Sequence, residues 1–368
     1  MKWTIKLGKF LGIDVFMHTT FLLLLIWIGV AEWIRGGGLS AAILGIGYIL
    51  ALFLSVILHE YGHALAARKF DVKTRDITIY PIGGVASLER IPEKPKQELI
   101  VALAGPVVNV VIAGVLFISL VLTSSLDFST GLGLNQGSFI QRLMLTNLVL
   151  VGFNLIPAFP MDGGRVLRAL LAMRMEYTNA TQIAASIGQA LALVFGFIGL
   201  FSNPFLIFIA FFVWIGAQNE AKMVRMKSAL EGIPVSHAML TSFETLSPDQ
   251  TLNTVIDHIL STDQKHFPVI SDGQVIGILS EVGLLEGLRK KGEATLVVDV
   301  MDNSFQTAHP NEMVEIAFAR LNECNCHTMP VLQEGGVVGL ITMDNIGELI
   351  RIQSMLNRRG SISQRISL

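Results

Sequence analysis

The sequence predicts an α-helical polytopic membrane domain, with about six transmembrane helices and a membrane-associated β-hairpin, followed by a smaller soluble α/β domain. Three observations carry this. The 368 residues are 52% hydrophobic and only 15% charged, with a mean hydropathy of +0.58, which is too apolar for an ordinary soluble domain. Before residue 226 the apolar residues gather in runs near the ~20 that a bilayer crossing requires. After it the charge rises and one pattern occurs twice. The expected division is a transmembrane domain over 1–226, a linker over 227–235, a first repeat over 236–296 and a second repeat with the tail over 297–368.

Taken in order, residues 1–18 form an amphipathic lead-in, WTIKLGKFLGIDVFMH, which can pair as a short strand at the membrane surface. Spans are expected at 15–33, 39–67, 99–123, 138–156, 183–201 and 204–217. The first apolar run has no small-residue cleavage site and further spans follow, so no cleavable signal is expected. Only Ser202-Asn203 separates the last two spans, so they form a tight helical hairpin, with Pro204 suited to a first helical turn. The stretch ITIYPIGGVASLE is rich in β-branched residues and broken by Pro81 and Gly83-Gly84, which predicts a short hairpin between the second and third spans. In the third span Ala104-Gly105-Pro106 gives a kink and close packing, and Asn109 is expected to hydrogen-bond between helices.

Charge informs by its location. The net charge is −2 and there is no long basic run, which excludes nucleic acid as a partner. Cytoplasmic connections carry the excess of Lys and Arg. Lys2, Lys6 and Lys9 lead the chain; Arg68 through Lys96 fill the second connection; Arg165, Arg168 and Arg174 follow the fourth span, and Lys222, Arg225 and Lys227 the sixth. The opposite connections hold little beyond Arg35 and Arg142. A multi-pass protein of the cell membrane with both termini cytoplasmic is therefore expected. Cys324 and Cys326, the only two cysteines, argue against a disulfide framework and for a reducing compartment. With His327 they read as packing rather than as a metal cluster.

The chemistry centres on His59-Glu60-Tyr61-Gly62-His63, inside the second span. On a helix, residues four apart share a face, so His59 and His63 can both offer a ring nitrogen to one zinc ion while Glu60 reaches a water beside it. The competing reading, polar residues at a helix end, is weak here. Three ionisable groups in one turn of a membrane helix cost about 2.5–3.5 kcal/mol each at the bilayer centre, so they are functional by default. The second half of the site is NLIPAFPMDGGRVLRAL. A helix entering from Thr146-Asn147 must stop near Pro157 and Pro160, leaving irregular backbone at membrane depth that only protein or a water-filled cavity can cover. Asp162 lies in that break. Alone it reads as a helix N-cap; beside the two histidines it supplies the third protein ligand, with a fourth position open to water.

This pattern resembles the site-2 proteases, which are intramembrane zinc metalloproteases: a zinc motif in one span, AGP followed by an Asn, then Asn154, Pro157 and Asp162-Gly163 later. The resemblance covers residues 1 to about 226. It implies that His59, His63 and Asp162 hold zinc, that Glu60 is the general base, that Asn154 helps stabilise the oxyanion, and that ITIYPIGGVAS is a membrane-dipping element holding substrate extended. The implied reaction is hydrolysis of a peptide bond within or near the transmembrane segment of a membrane protein, as in regulated intramembrane proteolysis.

The tail repeats at an offset of 62 residues, which links Met239 to Met301, Pro248 to Pro310, Pro268 to Pro330, Gly277 to Gly339 and Ser280 to Thr342. Each copy runs strand, helix, strand, turn, strand, helix, and resembles a CBS domain. Pairs of such domains bind adenosine nucleotides and regulate what they are attached to. The ribose-binding aspartate of that family would fall on Gly283 and Asn345, so a nucleotide and a structural role as a homodimer contact both stay open. The rival function is a metal-ion transporter gated by the CBS pair. It leaves Glu60 without a task.

Overall fold

A computed structural model of the chain describes residues 3–88, 94–123, 138–262, 264–324 and 326–366. These form two compact units, 1–224 and 225–368.

In the first unit β1 (Thr4–Phe10) pairs antiparallel with β2 (Ile13–His18), β2 parallel with β3 (Thr74–Tyr80), and β3 antiparallel with β4 (Gly83–Leu88), giving one sheet in the order β1-β2-β3-β4. Alternation explains the buried face: Ile13, Val15, Ile77 and Ile79 point inward to Phe21, Phe53, Tyr61 and Ala64 of the next two helices. Residues 15–18, read as the start of a span, belong to β2 instead. The helix begins at Thr19, where the His18 side chain accepts from the backbone N–H of Thr20.

The helices follow as α1 (Thr19–Glu32), α2 (Gly38–Arg68), α3 (Pro95–Leu122), α4 (Phe139–Asn154), α5 (Asp162–Ala172), α6 (Tyr177–Phe201) and α7 (Phe205–Leu230). A five-residue π turn, Trp33–Gly37, joins α1 to α2. Among the described residues four helical stretches are long and apolar enough to cross a membrane: Thr19–Arg68, Pro95–Leu122, Tyr177–Phe201 and Phe205–Leu230. Phe139–Asn154 is apolar but shorter. Residues 155–161 are irregular and include a cis Phe159–Pro160 peptide. They are covered by Ala192, Ala210 and Val213 around Ala158 and Met161, and by Ala184, Ala185 and Ala217 around Phe159. The α7 helix continues through the first four residues of the expected linker, 227–230.

The second unit contains α8 (Leu252–Ser261), β5 (His266–Ser271), β6 (Gln274–Ser280), α9 (Glu281–Lys291), α10 (Val314–Cys324), β7 (Thr328–Gln333), β8 (Gly336–Thr342) and α11 (Met343–Ile366). The two hairpins share one register, including the same bulge, Val269/Ile270 in β5 and Val331/Leu332 in β7. The repeats also exchange their leading segments. Leu240 bridges to Leu340 of the second hairpin, and Asp302 bridges to Ile278 of the first. Met239 accordingly sits against Gly339 and Met301 against Gly277, leaving no room for a Cβ at either glycine. One correction concerns the cysteines. Cys324 and Cys326, expected to be reduced, are joined in a disulfide, their Cα atoms lying 5.1 Å apart, within the range such a bond spans.

Candidate active site

The α2 helix places His59 and His63 one turn apart on its buried face, and the first residue of α5 brings Asp162 to them. Asp162 Oδ2 lies 3.1 Å from His59 Nε2 and 3.2 Å from His63 Nε2, and the two Nε2 atoms are 3.0 Å apart. Among the described residues these three form the one His/Cys/Asp/Glu group able to hold a metal ion.

The hydrogen bonds behind the rings decide what the group can bind. His63 Nδ1 is 2.7 Å from the carbonyl oxygen of Val101, which can only accept, so Nδ1 carries a proton and, in the neutral ring, Nε2 keeps its lone pair. His59 Nδ1 is 2.7 Å from Asn109 Oδ1 and donates likewise. With both rings neutral, two lone pairs and a carboxylate oxygen converge, an arrangement that repels itself unless a positive charge, a metal ion or a proton, sits among them. Tetrahedral zinc with bonds of about 2.0–2.2 Å would hold its ligand atoms roughly 3.3 Å apart. The residues present therefore fit zinc.

Close backbone approach completes the corner. A Cβ on Gly105 of α3 would lie 2.3 Å from His63 Nε2 and 2.6 Å from His59 Nε2, so only glycine lets α3 pass this near. A Cβ on Gly84 of β4 would meet Glu60 Cγ at 2.9 Å, which puts the edge strand directly over the Glu60 side chain. Glu60 interacts electrostatically with His63, His59, Asp162 and Arg165. Asn154 closes α4, half-buried, with no side-chain hydrogen-bond partner among the described residues.

Two features were not legible beforehand. Asn109, expected as an interhelical hydrogen-bonder, bonds to a site histidine as well as to Asn147, where its Nδ2 donates to Oδ1 at 3.0 Å. The other is Arg168, read only as a topology signal and in fact fully buried. Its Nε donates to Glu98 Oε1 at 2.8 Å and its Nη1 to Glu220 Oε1 at 2.6 Å, and its guanidinium faces the rings of Phe159 and Tyr177. It ties α5, and so Asp162, to α3 and α7. An ion triad of this kind is invisible in sequence because its members are 70 and 52 residues apart.

The second unit holds a cleft of about 790 Å³ between its repeats, lined by His266, Glu281, His327, Thr342, Asp344 and Asn345 among others. Burial, and then the nearby His327, push the pKa of the His266 imidazole below its ordinary value, while Asp344 and Glu281 oppose them. Asn345, at the aspartate position of the CBS pattern, is tied to Thr342 by two short-range hydrogen bonds.

Both parts of the chain match known protein families. Residues 47–136 and 132–195 match the model of Peptidase family M50, and residues 235–290 and 297–351 match that of the CBS domain. The zinc metalloprotease MJ0392 of Methanocaldococcus jannaschii is 34% identical over 97% of this chain and 98% of its own. The putative zinc metalloprotease Rip3 of Mycobacterium tuberculosis is 28% identical over 96% and 94%. The solved site-2 protease from M. jannaschii covers 60% of this chain and 95% of its own at 41% identity, with a TM-score of 0.44. The chain belongs to peptidase family M50, the site-2 proteases, and carries a CBS pair. It is a zinc metalloprotease, and the transporter alternative is not favoured.

Proposed function

We propose that this protease hydrolyses a peptide bond within or near the transmembrane segment of a membrane-protein substrate, the chemistry of regulated intramembrane proteolysis. In this reading His59, His63 and Asp162 are the zinc ligands, Glu60 is the general base and Asn154 is an oxyanion donor. The observation that carries it is the convergence of three acceptor atoms within 3.2 Å of one another, with Glu60 on the same helix under strand β4.

Peptide bonds of a membrane helix are satisfied internally, so cleavage needs an unwound segment and access for water. The β4 strand ends the sheet, and its outer edge suits an added strand of substrate, whose backbone would then pass over Glu60. Ile82, at the tip between β3 and β4, is 84% exposed and suits a membrane-dipping hairpin. Zinc, when bound, polarises the scissile carbonyl and acidifies a water. Glu60 takes that water's proton and passes it to the leaving amine. The Asn154 amide donates a hydrogen bond as charge develops on the carbonyl oxygen.

The membrane arrangement belongs to the same proposal. Thr19–Arg68 is 50 residues long, roughly 75 Å as a helix against a hydrocarbon core of about 30 Å, so it must cross twice, turning near Gly36, whose φ is 87°. With α3, α4, α6 and α7 this makes six crossings and leaves both termini in the cytoplasm. The CBS pair takes part in assembly as a symmetric homodimer and tunes access to the site, with or without an adenosine nucleotide in its cleft. The test is a comparison of membrane-protein fragments in cells carrying wild type or Glu60→Gln. Cleaved stubs of single-span proteins should accumulate only with wild type, and identical fragment sets would remove the proposal.

A further inference from the structure

We infer that Asn109 and Asn147 form a one-way hydrogen-bond relay that fixes the proton of His59 on Nδ1 and so keeps its Nε2 ready for metal. Both are positioning residues for the metal centre. The inference rests on the reading of His59 as a zinc ligand and deepens it.

The relay is directional because backbone carbonyls terminate it. Asn147 Nδ2 donates to the Leu143 carbonyl oxygen at 2.9 Å and lies 3.4 Å from Ser55 Oγ. Ser55 Oγ donates its own proton to the Ala51 carbonyl at 3.2 Å, so toward Asn147 it can only accept. Both partners of Nδ2 are thus acceptors, and the amide of Asn147 has one usable orientation, with Oδ1 toward Asn109. Asn109 must then turn Nδ2 to Asn147, at 3.0 Å, and Oδ1 to His59 Nδ1, at 2.7 Å. An oxygen there accepts the Nδ1 proton. A rotated amide would present N–H instead and drive the imidazole proton to Nε2, where a metal must bind. Asn109 is 1% and Asn147 0% exposed, so both amides are cut off from bulk water. His63 reaches the same state with one bond to a backbone carbonyl; His59 reaches it through two side chains and a second helix, α4. Nothing in the bond pattern needs Asn147 to touch substrate or zinc.

The relay separates from simple packing by substitutions that preserve or break its direction. Asn147→Leu keeps the branching of the side chain and removes the acceptor, leaving the Asn109 amide free to rotate. Zinc affinity, measured by chelator competition on purified protein, should fall about 10–100-fold, the usual cost of losing such support. Asn147→Asp, held neutral by burial, can still donate to Leu143 and accept from Asn109, and should stay within about threefold of wild type. In an Asn109→Asp background the acceptor for His59 no longer depends on Asn147, so adding Asn147→Leu should cost little more. An equal loss in both backgrounds, or unchanged affinity in Asn147→Leu, would overturn the relay. A measurement that needs no relay variant is the ¹⁵N spectrum of His59 in metal-free wild type, assigned by difference from His59→Gln. A protonated Nδ1 is expected, and a bare Nδ1 would end the idea. His59→Ala keeps the two readings apart. If it binds zinc as tightly as wild type, the ligand assignment fails, whatever the tautomer.

Discussion

Replacing Gly105 by Ala tests the metal corner without touching a ligand. The new methyl would stand 2.3 Å from His63 Nε2 and 2.6 Å from both His59 Nε2 and His63 Cε1, where ordinary contact begins at 3.4 Å. About 1 Å of displacement must therefore be found, and the nearest movable atoms are the two imidazoles. Zinc tolerates ligand distances only within about 0.2 Å of ideal, so the histidines cannot yield and still bind. Overpacking itself costs roughly 1–3 kcal/mol, which leaves the membrane unit folded. The expected result is protein of normal yield and size-exclusion behaviour that retains less than about a tenth of wild-type zinc by elemental analysis, similar to Asp162→Ala, which deletes one of the three proposed ligands outright. Full zinc occupancy in Gly105→Ala would show that the corner is looser than the three distances of 3.0–3.2 Å imply.

Three further outcomes follow from other parts of the molecule. Gly84→Pro deletes a backbone donor in β4 and should reduce cleavage of a reconstituted substrate while zinc content stays normal; retained cleavage would reduce this strand to a cover. Arg168→Met leaves Glu98, 1% exposed, without its cation and should destabilise the membrane unit by about 3–5 kcal/mol in detergent unfolding, with partial recovery when Glu98→Gln is added. His266 has its pKa lowered in the fold, so the unfolded chain binds more protons. Stability contributed by this residue is present above the ordinary histidine pKa of about 6.5 and is lost as pH falls below it. Protection of the β5 amides against hydrogen exchange should drop between pH 7 and pH 5, and His266→Gln should flatten that drop.

The clustering of His59, His63 and Asp162 was legible because its signal is local: two histidines at helical spacing in an apolar run, then an aspartate in a proline-broken segment. The repeat in the tail was equally legible, but its exchange of leading segments was not, since an offset of 62 residues says that Met239 matches Met301 and nothing of which glycine each covers. Long-range pairing explains the remaining differences. The lead-in could be read as a strand, but its parallel partner β3 begins 56 residues after β2 ends, so the four-stranded order was out of reach. Residues 15–17 are as apolar as a span, and it is their pairing with β1 and β3 that makes them a strand. Asn109 and Arg168 looked like packing and topology signals because their partners lie on other helices, 38 to 70 residues away.

The claim that this site hydrolyses peptide bonds through Glu60 is tested most directly by reconstituting the full chain with a single-span substrate in H₂¹⁸O and sequencing the products by mass spectrometry. Wild type should give one new C-terminus inside or beside the transmembrane segment, carrying one ¹⁸O in its carboxylate. Glu60→Gln, with zinc content equal to wild type, should give none; the same labelled product from that variant would contradict the account.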